Sequence, residues 1–189
     1  MLTNGDFVKL CNNSGEHIEL LIRSCSAADL PSVLALQERV VKSLTAPHLF
    51  VPCTKDELTE SLKLDYCIGA FSGDMLVAFS IMVRGRTGPR NLGTYLGYGN
   101  DRLLRCVTYD TAFVHPEYRG YGMQRLMNRI RDAEAIRTGA EEALATISPD
   151  NPVSLHNAQS CGFSVITEKL MYGGLPRYIV GKHFITRGG

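Results

Sequence analysis

Residues 113 to 124 read Phe-Val-His-Pro-Glu-Tyr-Arg-Gly-Tyr-Gly-Met-Gln, and this short run constrains the fold more than any other. An apolar, strand-like segment ends, two glycines follow one residue apart, and helical periodicity begins. The first N–H groups of a helix have no intrahelical acceptor, and with the positive end of the helix dipole they attract anions. Glycine permits positive φ and a close approach of backbone to ligand. Arg119 adds a cation at the same place, so the segment has the makings of a phosphate or pyrophosphate cradle. It lacks the terminal Gly-Lys-Ser/Thr of a Walker motif. Arg125 also stands where the dinucleotide fingerprint needs its third glycine. An ordinary tight strand-to-helix connection would use the same two glycines.

The rest of the chain supplies alternating elements. Glu19-Leu20-Leu21-Ile22-Arg23 reads as a first strand. Ser26 and Asp29, then Thr54 and Glu57, have capping-box spacing and predict helix starts. Apolar residues at Leu30, Val33, Leu34, Val40, Val41 and Leu44 keep to one helical face. Strands are expected at 66–71 and 75–84 around the turn Ser72-Gly73-Asp74, and again at 106–114, 143–147, 163–171 and 177–183. Helices are expected at 123–137 and at 152–161. Asn151 would cap the second, with Pro152 in its first turn and Gly162 past its end. Residues 85–105, crowded with Gly and, counting the adjoining Arg84, five Arg, read either as a mobile substrate-side loop or as a solvated connector.

Composition narrows the classes. A net charge of +1 over 189 residues disfavours a binder that works by neutralising phosphates along a nucleic acid. No apolar run approaches the ~20 residues of a membrane helix. The start Met1-Leu2-Thr3-Asn4-Gly5-Asp6 has no secretory character, so a cytoplasmic location is expected. Six cysteines, none spaced Cys-x-x-Cys, fit buried reduced thiols better than a metal or redox site.

Arg119-Gly120-Tyr121-Gly122-Met123-Gln124 resembles the Arg/Gln-x-x-Gly-x-Gly/Ala signature of the GNAT superfamily, the Gcn5-related N-acetyltransferases. Phe113-Val114-His115-Pro116-Glu117-Tyr118 is similar to the run that leads into it. Ile22-Arg23 with Ala28-Asp29-Leu30-Pro31 resembles the family's opening. Asp150-Asn151-Pro152-Val153-Ser154, leading to Gly162-Phe163, resembles its last helix and exit. The resemblance spans residues 19 to 184. It implies a single α/β (α+β) domain over 19–189 behind a loose lead-in at 1–18. The sheet would be mixed, with about six or seven strands, about four flanking helices and splayed fourth and fifth strands.

It further implies transfer of an acetyl group from acetyl-CoA to a primary amine of a small molecule or peptide. No metal, nucleic acid or membrane is implied, and a homodimer is left open. The splayed strands would be 106–114 and 143–147. Backbone groups around Ala112, Phe113 and Val114 would pair with the pantetheine arm, and amides from Arg119 through Gly120, Tyr121, Gly122 and Met123 to Gln124 would hold the pyrophosphate. Asn151, Ser154 and Asn157 would contact the arm, although Asn151 is equally well explained as a helix cap. The Val114 N–H would steady the anionic carbonyl oxygen. Asp110 would be the general base, against the plain alternative of a solvent-facing strand carboxylate. His115 and His156 are weaker candidates. Two departures stand out. Gln124 replaces the usual Gly or Ala, and Ala158 replaces the tyrosine that protonates the thiolate in many members. Tyr172, Tyr178 or water would then serve as acid. A CoA- or ligand-binding module without turnover, and a nucleotide-binding regulator using the same cradle, are the competing functions.

Overall fold

The computed structural model describes residues 5–184. Strand β1 (Asp6–Cys11) and strand β2 (His17–Ser24) form an antiparallel hairpin. Helix α1 (Leu30–Lys42) and helix α2 (Lys55–Leu64) follow. Strands β3 (Tyr66–Ser72) and β4 (Met75–Val83) form a second hairpin. A short helix α3 (Asn100–Leu104) precedes strand β5 (Cys106–Val114). Helix α4 (Met123–Arg137), strand β6 (Glu142–Ile147), helix α5 (Pro152–Gln159) and strands β7 (Ser164–Met171) and β8 (Leu175–His183) complete the described chain.

The strands form one eight-stranded mixed sheet in the order β1-β2-β3-β4-β5-β6-β8-β7. Two expectations change. Within the expected lead-in at 1–18, residues 6–18 are not loose, because β1 pairs with β2 from Asp6↔Ile22 to Cys11↔His17. Its alternation is weak in sequence, yet Val8 is buried with Leu20, Met123, Met127 and Ile130. The extra strand moves 106–114 and 143–147 from fourth and fifth to fifth and sixth in chain order.

Both faces are covered. Val33, Leu36 and Val40 of α1, with Leu58 and Leu62 of α2, pack on Phe79, Ile81, Val83 and Phe113. Met123, Met127 and Ile130 of α4 pack on the opposite face, where Ala135 of α4 and Ala158 of α5 extend the core. The capping boxes form as expected. Thr54 Oγ1 accepts from the Glu57 N–H at 3.2 Å, and the Glu57 carboxylate accepts from the Thr54 N–H at 2.7 Å.

The segment 85–105 is neither mobile coil nor plain connector. The buried Asn91 amide donates to the carbonyls of Arg86, Leu103 and Cys106, tying both ends of the segment to β5. Its four arginines, and Arg84 just before it, all have carboxylate partners: Arg84 with Glu134, Arg86 with Asp65, Arg90 with Asp110, Arg102 with Glu142 and Arg105 with Glu141. The cluster is therefore compensated locally and is no free basic patch.

Candidate active site

The site begins where the sheet comes apart. β5 and β6 run parallel and pair only from Cys106↔Glu142 to Tyr109↔Ala145. Beyond that point β5 stays with β4 and β6 stays with β8. The split opens into a cavity of about 1010 Å³. It is walled by the α1–α2 connection, the 85–105 segment, the ends of β5 and β6, the starts of α4 and α5, and the β7–β8 turn.

A bulge in β5 shapes one wall. Ser80 faces Ala112 and Met82 faces Tyr109, so Asp110 and Thr111 together oppose Ile81. Arg131 of α4 donates to the Ile81 carbonyl at 3.1 Å and so occupies the irregularity. Strand alternation sends neighbouring side chains to opposite faces. Tyr109 turns to α4, where its hydroxyl donates to Asp132. Asp110 turns to the α1–α2 face and meets Arg90 at 2.9 Å. Because the cavity passes through the split, both residues line it.

Backbone polarity in β5 follows from one hydrogen bond. The His115 N–H donates to the Val77 carbonyl at 2.8 Å while Ala78 faces Val114. Ala78 and Val114 are therefore a non-hydrogen-bonded pair, and the N–H and C=O of Val114 turn away from β4 into the split. The same holds two residues back for Ala112, opposite Ser80. Phe113, opposite Phe79, gives its backbone groups to β4, which corrects its expected backbone role. It contributes its ring instead, 5.5 Å from Phe79 and 5.9 Å from Phe50 by centroids.

At the other end, Gly120 and Gly122 take φ of +87° and +72°. The first bond of the α4 turn runs from the Leu126 N–H to the Gly122 carbonyl at 3.1 Å, so the amides of Met123, Gln124 and Arg125 have no intrahelical acceptor. Gly120, Gly122, Met123, Gln124 and Arg119 line the cavity. Tyr121 is buried away from it, and Glu16 in the β1–β2 turn pushes its phenol up to about 12. Gln124 does not crowd the cleft as an isolated side chain. It accepts from the Asn157 amide at 3.0 Å and lies 3.5 Å from Ser154 Oγ, joining the starts of α4 and α5. Asn151 caps α5 by accepting from the Ser154 N–H at 3.0 Å, and it also lines the cavity.

Burial raises the Asp110 carboxyl above the usual carboxylate range, with Arg90 opposing it. The Tyr172 hydroxyl sits 3.0 Å from Thr146 Oγ1 in the cavity wall, and burial raises its phenol. Tyr178 packs instead beside the core around Val180 and Phe163. Ala158 lies in the cavity wall without a hydroxyl to offer. His115 is buried, bonded to Arg39 at 3.1 Å and to the Glu117 N–H, which makes it structural; His156 is exposed. Cys53 reaches the cavity, but burial pushes its thiol up to about 12, too high for a thiolate at neutral pH. Arg177 gave no sequence signal as a site residue, and only the fold brings it to the wall.

No family model matches the chain. It is 29% identical over 118 residues to the L-amino acid N-acyltransferase MnaT of Escherichia coli (strain K12), a match spanning 60% of this chain and 67% of that protein. Among solved structures it resembles an acetyltransferase of the GNAT family from Streptococcus pneumoniae, with a TM-score of 0.67 and 18% identity over 87% of this chain and 98% of that one. It also resembles yncA from Salmonella typhimurium, solved with its cofactor acetyl-CoA, with a TM-score of 0.68 and 17% identity over 90% and 96% of the two chains. The fold is that of the GNAT acetyltransferases. Among the described residues no helix is long and apolar enough to cross a membrane.

Proposed function

We propose that the protein is an acetyl-CoA-dependent N-acetyltransferase acting on a primary amine. The observation that carries this reading is the continuity of one cavity from the open amides of α4, through the split between β5 and β6, to the Asp110 carboxylate. The wall fits an extended, anionic thioester cofactor. It offers helix-terminal N–H groups and Arg119 at one end, and the Ala112 and Val114 backbone along the way. Arg131 lines it too, and its buried Nε has no protein partner.

When bound, acetyl-CoA supplies an activated acetyl group. The amides from Gly120 to Arg125 hold its pyrophosphate, and the N–H and C=O of Ala112 and Val114 orient the pantetheine arm as an added strand would. The Val114 N–H is placed to meet negative charge on a carbonyl oxygen. An Asp110 carboxylate oxygen accepts the proton of the incoming ammonium. Tyr172 Oη, held protonated by its raised pKa, donates a proton to the leaving group from the opposite wall.

Acetyl-CoA should raise the thermal midpoint where ATP does not, since a ligand at 100 times its Kd adds about 2.7 kcal/mol. Thiol release with an amine panel then tests turnover. Ala158 and the neutralising Arg90 favour one alternative, a CoA-binding module without turnover. Its mark is a shift with acetyl-CoA and no thiol release from any amine.

A further inference from the structure

We infer that Arg131 is a positioning residue for Asp110: from α4 its guanidinium fills the bulge in β5 and so keeps the Asp110 carboxylate on the acceptor side of the sheet. The catalytic meaning of this rests on the acetyltransferase reading above, while the placement follows from register. Ser80 faces Ala112, and the next residues on β4 are Ile81 and Met82. A regular ladder would set Ile81 against Thr111 and Met82 against Asp110. Directly opposed residues share a face, and Met82 is fully buried in one cluster with Ala135 of α4. In that register Asp110 would point into the α4 core. The bulge instead sets Met82 against Tyr109. Tyr109 then takes the α4 face and Asp110 the opposite one.

Arg131 holds this irregularity from behind. Ile81 has no single residue opposite it on β5, and its carbonyl receives a donor from α4, Arg131 Nη1 at 3.1 Å. The Asn128 side chain accepts from Arg131 Nη2, and the Tyr109 ring centroid lies 4.2 Å from the guanidinium carbon. One planar group is thus fixed by α4, by β4 and by the residue that opens the bulge, contacts that a lysine cannot make together. None of these partners is a carboxylate. Asp132 pairs with Lys182 at 2.6 Å, and Asp110 pairs with Arg90 at 2.9 Å. Arg131 is 3% exposed and has no ion pair among the described residues. A cation buried in this way adds little to stability by its charge, and what it fixes is geometry. Asp110 acts on Arg131 at longer range, so by reciprocity Arg131 favours the ionised carboxylate. On its own face Asp110 meets Arg90, Glu57, Asp65 and the Cys53 thiol.

The test uses Arg131→Met, which keeps the length of the side chain and removes donors and charge, together with the double variant Asp110→Asn/Arg131→Met. In thiol release with acetyl-CoA and the best amine of the panel, Arg131→Met should lower kcat by about 100-fold, toward the level of Asp110→Asn. The double variant should be no slower than Asp110→Asn, because both substitutions remove the same function. Arg131→Lys keeps the charge without the fork and should lose only about 10-fold; it carries the same cycle should Arg131→Met not fold. NMR titration of the isotope-labelled Asp110 carboxyl, assigned with Asp110→Asn, needs no turnover. It should move to higher pH in Arg131→Met, since loss of the cation and a turn into the α4 core both raise it. An unchanged kcat, losses that multiply in the double variant, or an unmoved titration overturns the inference. A purely structural Arg131 would lower stability and give the last two. Absence of thiol release from every amine by the native protein removes the acetyltransferase reading instead, and the titration then decides the placement of Asp110 alone.

Discussion

Arg90 Nη2 stands 2.9 Å from the Asp110 carboxylate, and the same guanidinium faces Asp65 and Glu60. Burial makes Asp110 a stronger base and Arg90 makes it a weaker one, so its proton affinity is a balance of two opposed causes. The balance can be moved from either side.

Asp110→Asn should lower kcat by about 100-fold or more, the usual scale of a general base, while the acetyl-CoA thermal shift persists. The acid limb of kcat/KM should lie above the ordinary carboxylate range, because activity falls as pH drops through a raised pKa. Arg90→Gln removes the opposing charge and should move that limb to higher pH. The stability sign follows as well. A carboxyl whose folded pKa is raised costs stability that accrues as pH rises through its unfolded pKa and is complete above the folded one. The thermal midpoint of Asp110→Asn at neutral pH should therefore equal or exceed that of the native protein. A clear fall would show that the ion pair with Arg90 outweighs the burial.

Tyr172→Phe removes the hydroxyl beside Thr146 and keeps the ring. A drop in kcat of about 10- to 100-fold, with the acid limb unmoved, is expected if this phenol donates the proton. Its raised pKa places loss of the proton above the normal phenol range, so the native rate should not fall on the alkaline side below about pH 10. Unchanged kcat in the variant would return the proton to water.

Gly120 has open space where a Cβ would stand, so Gly120→Ala meets no clash and suffers only from its φ of +87°. The left-handed region costs an ordinary residue about 1–2 kcal/mol, which unfolding in urea would read directly. Titration with acetyl-CoA should show weaker binding, because relaxation toward negative φ swings the amides that follow. An unaltered Kd would place the pyrophosphate elsewhere.

Removal of residues 1–11 would strip β1 from β2 and uncover Met123, Met127 and Ile130 beneath Val8. The thermal midpoint should fall by about 5 °C or more. Acetyl-CoA affinity should fall with it, since the β1–β2 turn also brings Glu16 to Tyr121, which lies behind the cradle between Gly120 and Gly122. A truncated protein with native stability and affinity would make the hairpin an ornament.

Local chemistry explains what the sequence disclosed. Gly120, Gly122 and Arg119 mark the cradle because positive φ and helix-terminal amides are coded within a few residues. Thr54 with Glu57, and Asn151 with Ser154, declare their caps for the same reason. β1 was hidden because the exposed Phe7 on its outer face and Asp6 on its inner one blur the alternation, and its burial depends on α4, more than a hundred residues away. Arg177 was hidden because a charge is defined by its neighbours. Five arginines at 84–105 looked like a patch, and only the fold supplies each with its carboxylate. The turning of the Phe113 backbone away from the split, while those of Ala112 and Val114 face it, follows from ladder register, which the strand's own sequence does not contain.

Beyond Tyr109 and Ala145 the sheet has an edge in its own interior. Exposed edges invite pairing with any extended chain and are normally blunted or covered. Here the starts of α4 and α5 roof the opening, which denies entry to a bulky second polypeptide strand and admits a slender arm bearing amides. The molecule is in this sense a sheet whose ladder stops short inside its own body. On the reading proposed above, a bound cofactor arm would extend the ladder across this gap. Amide hydrogen exchange at Ala112 and Val114 should then slow when acetyl-CoA is added.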